Sequence, residues 1–206
     1  MSSRFIKQKV EVRDPDAQTV RRHGEAMNEP AFSLREGSIF FLGPRGSGKS
    51  TLAREVASRL QAPAVDTDSR VEERAGRSIS QIVSCQGWEA FRDLEQQVLR
   101  RICSEPGHVV ATGGGIVLRR ENRELLRKSG PVFYLLADVS LLLQRLQDEK
   151  EHQSRPSLTN ESLEQELVQT LRERDPLYQE CLDYILPAER TPPELADNVV
   201  STLGVG

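Results

Sequence analysis

The segment at 43–50 combines three glycines with a lysine and a serine in the pattern of a phosphate-binding loop. It reads GPRGSGKS, follows the apolar run 38–42 and precedes a helix-patterned segment, which is the strand–loop–helix context that GxxxxGK[ST] requires. Glycines allow positive φ and close approach to an anion, while successive backbone N–H groups and a helix N-terminus attract it. The alternative is an ordinary glycine turn before a helix. Spacing and flanks together predict a nucleoside triphosphate site.

Side chains of this loop have distinct expected roles. Lys49 is placed to reach β- and γ-phosphate oxygens, and the Ser50 hydroxyl is placed to ligate Mg²⁺. The nucleotide contacts expected from this segment are Gly43, Arg45, Gly46, Ser47, Gly48, Lys49, Ser50 and Thr51.

Asp66 and Asp68 follow the next apolar run, in the segment VDTD at 65–68. In extended backbone, residues two apart project to the same side, so both carboxylates would face one way at a strand end. One would hold Mg²⁺ through its waters, and the other would orient an attacking hydroxyl and accept its proton. We expect the metal role for Asp66, because no aspartate follows the strand at 108–111, and the hydroxyl role for Asp68. The alternative is that Asp68 caps the following helix.

Gly113, Gly114 and Gly115 come directly after the apolar strand at 108–111. Three successive glycines permit very close approach of the backbone to a ligand, because no Cβ intervenes. They could equally form a loose turn, but such a turn rarely needs three. We therefore expect ligand contact here.

Arginines on two predicted helices are candidates to bind an anionic group. Arg92 and Glu95 lie three apart beside the core-facing stripe of one helix. Arg92 could offer a bidentate fork to a substrate carboxylate, or the two residues could form a surface ion pair, which their spacing alone favours. Arg174 lies at the end of another predicted helix, where it could point into a cleft. For its neighbour Arg172, stabilisation of the helix C-terminus is an adequate explanation.

Apolar and amphipathic segments alternate from Ser38 onward. This alternation predicts an α/β fold, in which a parallel sheet is covered by helices on both faces and ligands bind at the carboxyl ends of the strands. The predicted strands are 38–42, 63–66, 108–111, 131–136 and 183–186, which makes a five-stranded sheet. The predicted helices are 48–60, 68–75, 79–85, 88–104, 119–129, 139–147, 161–174 and one from about 193.

Two segments stand apart from this alternation. Residues 1–37 are polar, mixed in charge and interrupted by helix breakers, so we predict a poorly ordered N-terminal extension, with a brief helix at 17–27, before a domain at 38–206. The segment at 147–160 is charged, nearly without apolar residues, and contains Arg155. It could be a plain solvated loop, but it suits a mobile lid that closes over substrate and brings an arginine to developing charge.

Composition narrows the classes of partner. A length of 206 residues suits one domain, and a net charge of −3 gives no electrostatic case for nucleic acid or an anionic membrane. No apolar run approaches the length of a membrane span. The 3 cysteines are odd in number and widely spaced, which suits reduced thiols in a cytoplasm, and they share no metal-ligand spacing with the histidines. We expect a cytoplasmic monomer that binds a small molecule.

Taken in order, these segments resemble those of shikimate kinases. The phosphate loop is shared by very many NTPases, whereas the combination of FRxxE, a triple glycine and R-x-PLY is far more specific. The resemblance covers roughly Ser38 to Leu186. The matching pieces are GPRGSGKST at 43–51, VDTD at 65–68, FRDLE at 91–95, ATGGGIVL at 111–118, NR at 122–123, RPSL at 155–158 and RERDPLY at 172–178.

The resemblance implies a P-loop NTPase fold like that of nucleoside-monophosphate kinases, and transfer of the ATP γ-phosphate to the 3-hydroxyl of shikimate. The products would be shikimate 3-phosphate and ADP, in aromatic amino acid biosynthesis, with ATP and Mg²⁺ as cofactors. Arg92 and Arg174 would take the substrate carboxylate, Glu95 would position Arg92, and Arg155 would close with the lid onto ATP. The substrate contacts implied are Asp68, Arg92, Glu95, Gly113, Gly114, Gly115 and Arg174; the catalytic residues are Lys49, Asp68 and Arg155.

Two residues depart from the usual pattern of this family. Ser157 interrupts the Arg-Pro-Leu-Leu of the lid, and Trp88 stands where many members carry glutamate. Both bear on lid packing and substrate affinity rather than on the reaction. Rival interpretations are a kinase of another small polyol, such as gluconate, and a nucleotide-binding module without turnover. The pair Arg92 and Arg174 argues against the first, and the retained Lys49 and Asp68 argue against the second.

Overall fold

The structure, a computed structural model, describes residues 20–21, 32–150 and 162–205. Its strands are β1 (Val20–Arg21), β2 (Ile39–Leu42), β3 (Ala64–Asp66), β4 (Val109–Ala111), β5 (Val132–Leu136) and β6 (Tyr184–Pro187). Its α-helices are α1 (Lys49–Leu60), α2 (Thr67–Ala75), α3 (Ile79–Ser104), α4 (Arg120–Ser129), α5 (Val139–Lys150), α6 (Leu163–Cys181) and α7 (Pro192–Leu203), and a short 3₁₀ helix spans Ile116–Leu118.

All six described strands form one sheet, in the order β1-β6-β5-β2-β4-β3. Strands β2 to β6 pair in parallel, which confirms the predicted five-stranded parallel sheet. Strand β1 adds a short antiparallel edge to β6, with Val20 opposite Ile185. The predicted helix at 17–27 is therefore wrong at its centre, because edge pairing replaces local helical hydrogen bonds there.

Helices cover both faces of the sheet because its central strands are apolar on both sides. Successive residues of a strand face opposite ways. Accordingly Ile39 and Phe41 pack in one core with α1, α5 and α7, while Phe40 and Leu42 pack in a second core with α2, α3, α4 and α6. The result is the predicted three-layer arrangement, with β2 fully buried at its centre.

The central position of β2 places the phosphate-loop segment between two neighbouring strand ends. Strand β2 lies between β4 and β5, and β3 lies beyond β4. Because these strands are parallel, the segments that follow β2, β3 and β4 all leave the sheet at the same edge. The phosphate loop, the two aspartates and the glycine run therefore meet there.

Helix boundaries departed from expectation at two places that matter for the site. The break predicted between residues 85 and 88 exists as a kink in α3 at Gly87, whose φ is 81° and ψ 173°. The helix predicted to end at Arg174 instead continues through Pro176 to Cys181. Proline removes one backbone hydrogen bond within a helix. Here the following turn is held by the buried residues Tyr178 and Cys181, so packing overrides the local signal.

The described part of the N-terminal extension contacts the domain. The Phe32 amide donates to the Leu203 carbonyl, at 3.2 Å, and the side chains of Phe32 and Leu34 pack against the core on the α7 side of the sheet. The domain boundary at residue 38 stays a prediction. In the described ranges, no helix combines the length and the apolar character that a membrane span needs.

Candidate active site

The loop after β2 has the backbone of an anion-binding site. Gly43, Gly46 and Gly48 have φ values of 147°, 81° and 97°, which side-chain-bearing residues rarely adopt. A Cβ on Gly43 would lie 2.9 Å from both the Leu135 carbonyl and Ser47 Oγ. Gly48 is also the N-cap of α1, so the positive end of that helix opens onto the loop. The turn is therefore built around glycine for steric reasons.

Lys49 and Arg145 hold the loop from inside. The Lys49 ammonium donates to the Pro44 carbonyl at 2.7 Å and to Ser47 Oγ at 3.4 Å. Arg145, on α5, donates from Nη1 to the Ser47 carbonyl at 3.1 Å and from Nη2 to the Ala188 carbonyl at 2.7 Å. Arg145 thus ties the phosphate loop to the turn after β6. Arg145 was not among the predicted site residues, because no sequence motif connects it to a loop about a hundred residues earlier.

Asp66, rather than Asp68, caps α2. Its Oδ1 accepts hydrogen bonds from the amides of Asp68 at 2.9 Å and Ser69 at 3.3 Å, while Oδ2 accepts from Ser50 Oγ at 2.6 Å. The alternative that Asp68 serves as the cap is wrong, and so is the premise that both carboxylates extend from one strand. The strand ends at Asp66, and Asp68 lies in the first helical turn.

A hydroxyl and a carboxylate therefore meet beside the phosphate loop, in the combination that suits Mg²⁺. Oxygen ligands from one or two protein groups, completed by water and phosphate, are the usual environment of this ion. Ser50 and Asp66 fit that description through their shared 2.6 Å contact. Across the described residues, no group of three or more histidines, cysteines and acidic residues is arranged to hold a metal on its own. The ion would thus need the nucleotide phosphates to complete its shell.

Charged side chains lie directly against two residues of the glycine run, Gly113 and Gly115. A Cβ on Gly113 would collide with Asp68 Oδ1 and lie 2.9 Å from Glu95 Oε1; a Cβ on Gly115 would collide with the Arg92 guanidinium. Charged side chains from α2 and α3 fill the space beside Gly113 and Gly115, so this turn is closely packed, and contact of the glycine run with a ligand stays a prediction. The Gly113 amide donates to Thr67 Oγ1 at 2.8 Å. Thr67 is fully buried between the two aspartates, and the sequence analysis gave it no role.

Arg92 and Glu95 form a buried ion pair at this loop. Arg92 Nη1 donates to Glu95 Oε2 at 2.6 Å, and the two residues are only 9% and 1% exposed. The surface-pair alternative is wrong, because the helix turns this flank inward against the glycine run. The guanidinium carbon also lies 5.6 Å from the Trp88 ring centre and 4.8 Å from that of Phe91, within the range of cation–π attraction.

Burial and the neighbouring arginines act on the pKa of Glu95 in opposite directions. Burial raises its pKa to about 7, against the opposing effect of its contact with Arg92. The charge of Asp68 raises this pKa further, and that of Arg174 lowers it, which places both side chains beside Glu95. Burial therefore favours the neutral form of Glu95, the partner of Arg92. Glu95 Oε1 is also buried and has no hydrogen-bond partner within the described part of the chain. This oxygen lies beside Gly113, as does Asp68 Oδ1.

Arg174 reaches the same site from α6. Burial raises the pKa of the Tyr178 hydroxyl, and the charge of Arg174 acts in the opposite direction. Arg174 therefore acts on Tyr178 as well as on Glu95. Its Nε is buried without a hydrogen-bond partner among the described residues. The site therefore gathers Asp68, Arg92, Glu95 and Arg174 under the glycine run. Of the predicted site residues, Arg155 lies outside the described ranges.

Asn122 and Arg123 support the turn that follows the glycines. Asn122 Nδ2 donates to the Ile116 carbonyl at 3.0 Å, and Arg123 Nη1 donates to the Val117 carbonyl at 2.7 Å. Both acceptors belong to the 3₁₀ helix, which the sequence analysis did not predict. These contacts give the pair a structural role: they hold the far end of the glycine loop against α4.

The chain is similar in sequence to known proteins of one family. The sequence profile of the family described as "Shikimate kinase" matches residues 45–204. The "Shikimate kinase 2" of Enterobacter sp. (strain 638) is 42% identical over 165 residues, which covers 80% of this chain and 94% of that protein. The "Shikimate kinase" of Nitratidesulfovibrio vulgaris is 41% identical over 165 residues, with 80% and 94% covered.

Solved structures are similar as well. The shikimate kinase of Acinetobacter baumannii, solved in complex with shikimate, superposes with a TM-score of 0.76 at 36% identity, covering 81% of this chain and 92% of that one. A gluconokinase of Sinorhizobium meliloti superposes with a TM-score of 0.52 at 20% identity, covering 82% and 93%, and shares the fold alone.

Proposed function

The chain belongs to the shikimate kinase family, and on that premise we propose that it transfers the γ-phosphate of ATP to the 3-hydroxyl of shikimate. The observation that carries the proposal is the buried Arg92–Glu95 pair, which lies against Asp68 beneath the glycine run and next to the phosphate loop. A buried guanidinium suits a carboxylate, and the Glu95 oxygen that has no hydrogen-bond partner among the described residues suits a hydroxyl. Shikimate carries both groups.

The phosphate loop is proposed to hold ATP. Its amides, Lys49 and the N-terminus of α1 supply fixed positive charge where negative charge accumulates during transfer. Lys49 would exchange its contacts with Pro44 and Ser47 for phosphate oxygens, keeping its ammonium hydrogen-bonded throughout. Arg45, in the same loop, is proposed to offset charge at the phosphates, and the neighbouring Thr51 to contact the nucleotide.

Ser50 and Asp66 are the proposed holders of Mg²⁺, with Asp66 acting through a bound water. When bound, the ion would neutralise charge on the β- and γ-phosphates. Asp66 orients the Ser50 hydroxyl by accepting its hydrogen bond, and the same carboxylate is fixed by two amides of α2. The serine hydroxyl is thereby held at the mouth of the loop.

Asp68 is the proposed base, and the arginines are proposed to orient the acceptor. Arg92 and Arg174 would grip the carboxylate, which leaves the 3-hydroxyl to face Asp68 and the γ-phosphate. Asp68 Oδ1 points at Gly113, so a substrate lying on the glycine run would contact it directly. Asp68 would then accept the hydroxyl proton as the new bond to phosphorus forms. Positioning supplies much of the rate in such transfers.

Arg155 is proposed to complete the site from a lid at 147–160, as the family resemblance implies. It would place a guanidinium on the ATP phosphates when the lid closes, excluding water. We further propose that Mg²⁺ is the physiological ion, that the protein acts as a cytoplasmic monomer, and that neither nucleic acid nor membrane is a partner.

A panel of acceptors tests this function. We expect ADP release to be stimulated by shikimate and not by gluconate or by nucleoside monophosphates. Stimulation by gluconate alone would favour the polyol-kinase rival. Nucleotide binding without release of ADP in the presence of any acceptor would favour a module that does not turn over.

A further inference from the structure

Tyr178 joins α6 to the glycine run through one hydrogen bond. Its hydroxyl donates to the Gly114 carbonyl at 2.5 Å, and the side chain is fully buried. Tyr178 lies four residues after Arg174, so the two side chains share one face of α6. The positive charge of Arg174 lowers the pKa of the same hydroxyl. One phenol thus contacts the glycine loop and is influenced by a proposed carboxylate-binding residue.

Gly114 is packed between this hydroxyl and the phosphate loop. A Cβ built on Gly114 would lie 3.4 Å from the Gly43 carbonyl, 3.5 Å from the Arg45 amide and 3.7 Å from the Tyr178 hydroxyl. The backbone at Gly114 is therefore in contact with the phosphate loop on one side and Tyr178 on the other. A shift of Gly114 changes the separation between the loop for the nucleotide and the loop for the acceptor.

The position of the hydroxyl is fixed by the core. The Tyr178 ring stacks on the Tyr134 ring, with centroids 5.0 Å apart and planes inclined by 21°. Tyr134 belongs to β5, is 2% exposed, and donates its own hydroxyl to Asp175 Oδ1 at 2.5 Å. The pair therefore forms a rigid platform between the sheet and α6. Only one of its two hydroxyls touches the glycine run.

We propose that Tyr178 is a positioning residue, which sets the distance between the glycine run and the phosphate loop and so aligns the acceptor hydroxyl with the γ-phosphate. The proposal rests on the assignment of the glycine run and Arg174 to the acceptor site. In-line transfer tolerates little misplacement: about 1 Å can cost on the order of 10²-fold in rate. Losing the Tyr178 hydroxyl also leaves the partly buried Gly114 carbonyl without this donor, which favours a shift of the loop.

The two tyrosines offer a matched pair of variants. Tyr178→Phe and Tyr134→Phe each remove one buried hydroxyl and keep the stacked rings. We expect both to lower the melting temperature by similar amounts. Tyr178→Phe should lower kcat with shikimate by about tenfold or more and leave the KM for ATP unchanged. Tyr134→Phe should keep kcat within about twofold of the unchanged protein. Equal kcat values for the two folded variants would overturn the proposal.

Two further measurements keep the outcomes separate. If Tyr178→Phe does not fold, Gly114→Ala approaches the same contact from the other side. Its methyl would occupy the space between the Gly43 carbonyl, the Arg45 amide and the Tyr178 hydroxyl without a clash, so the fold should persist. Because the methyl blocks closer approach of the two loops, kcat should fall at saturating shikimate; a kcat like that of the unchanged protein would contradict the inference. Absence of shikimate-stimulated ADP release in the unchanged protein would instead refute the proposed function.

Discussion

Ser50 Oγ donates to Asp66 Oδ2 over 2.6 Å, which joins the first turn of α1 to the end of β3. The same carboxylate caps α2 through its other oxygen. One side chain therefore has two roles, a structural cap and a candidate partner of the metal site. The two roles can be separated chemically, because asparagine caps a helix as well as aspartate does but carries no charge.

Asp66→Asn should weaken the response to Mg²⁺ without unfolding α2. We expect the Mg²⁺ concentration for half-maximal activity to rise by about 10–100-fold, as is usual when a residue supporting a metal ligand is lost. The melting temperature should change little. Asp93→Asn is the matched control, because Asp93 is an exposed carboxylate on α3 paired with Arg119. Equal Mg²⁺ responses of the two variants would remove Asp66 from the metal site.

Arg92→Ala should weaken shikimate binding while leaving ATP affinity nearly intact. Losing a charged hydrogen-bonding partner costs on the order of 1.5–3 kcal/mol. Shikimate titration followed by the fluorescence of Trp88, the single tryptophan of the chain, provides the measurement. Its ring lies beside Arg92, so the wild-type signal should respond to the acceptor.

The chain supplies a control for that experiment. Arg70 and Glu73 form an ion pair with the same spacing as Arg92 and Glu95, but their side chains are 53% and 63% exposed. Arg70→Ala should therefore leave both affinities unchanged, because exposed pairs contribute little. If Arg92→Ala weakened ATP instead of shikimate, the assignment of the carboxylate site would be wrong.

Glu95 should make the stability of the fold depend on pH. Its pKa is about 7 in the folded protein, against an ordinary value of 4.5, so the folded state binds the proton more tightly. The resulting stabilisation is present below about pH 4.5 and is lost as the pH rises through about 7. Its size is on the order of 3 kcal/mol.

Glu95→Gln tests this linkage, since glutamine does not titrate. Urea unfolding of both proteins at several pH values between 4.5 and 7.5 gives the free energy of unfolding. We expect the unchanged protein to lose more stability over that range than the variant. Parallel pH profiles would show that the pKa of Glu95 is the same in the folded and unfolded protein.

Much of this site could be predicted from local patterns, and the remainder depends on tertiary contacts. Short continuous apolar runs alternating with helix-patterned segments were sufficient for the parallel sheet, and the glycine spacing was sufficient for the phosphate loop. The cap at Asp66 depends on where β3 ends. If α2 began two residues later, Asp68 would be its N-cap instead. The burial of Glu95 and the reach of Arg145 arise only when distant elements pack. Pro176 misled the prediction, since tertiary packing continues α6 beyond it.

The central claim is that Asp68 orients the acceptor hydroxyl and takes its proton. The most direct test is the rate of shikimate-stimulated ADP release by Asp68→Asn at saturating ATP, Mg²⁺ and shikimate. The account predicts a kcat lower by about 10²–10⁴-fold, with ATP binding and melting temperature close to those of the unchanged protein. Near-normal turnover by this variant would contradict it.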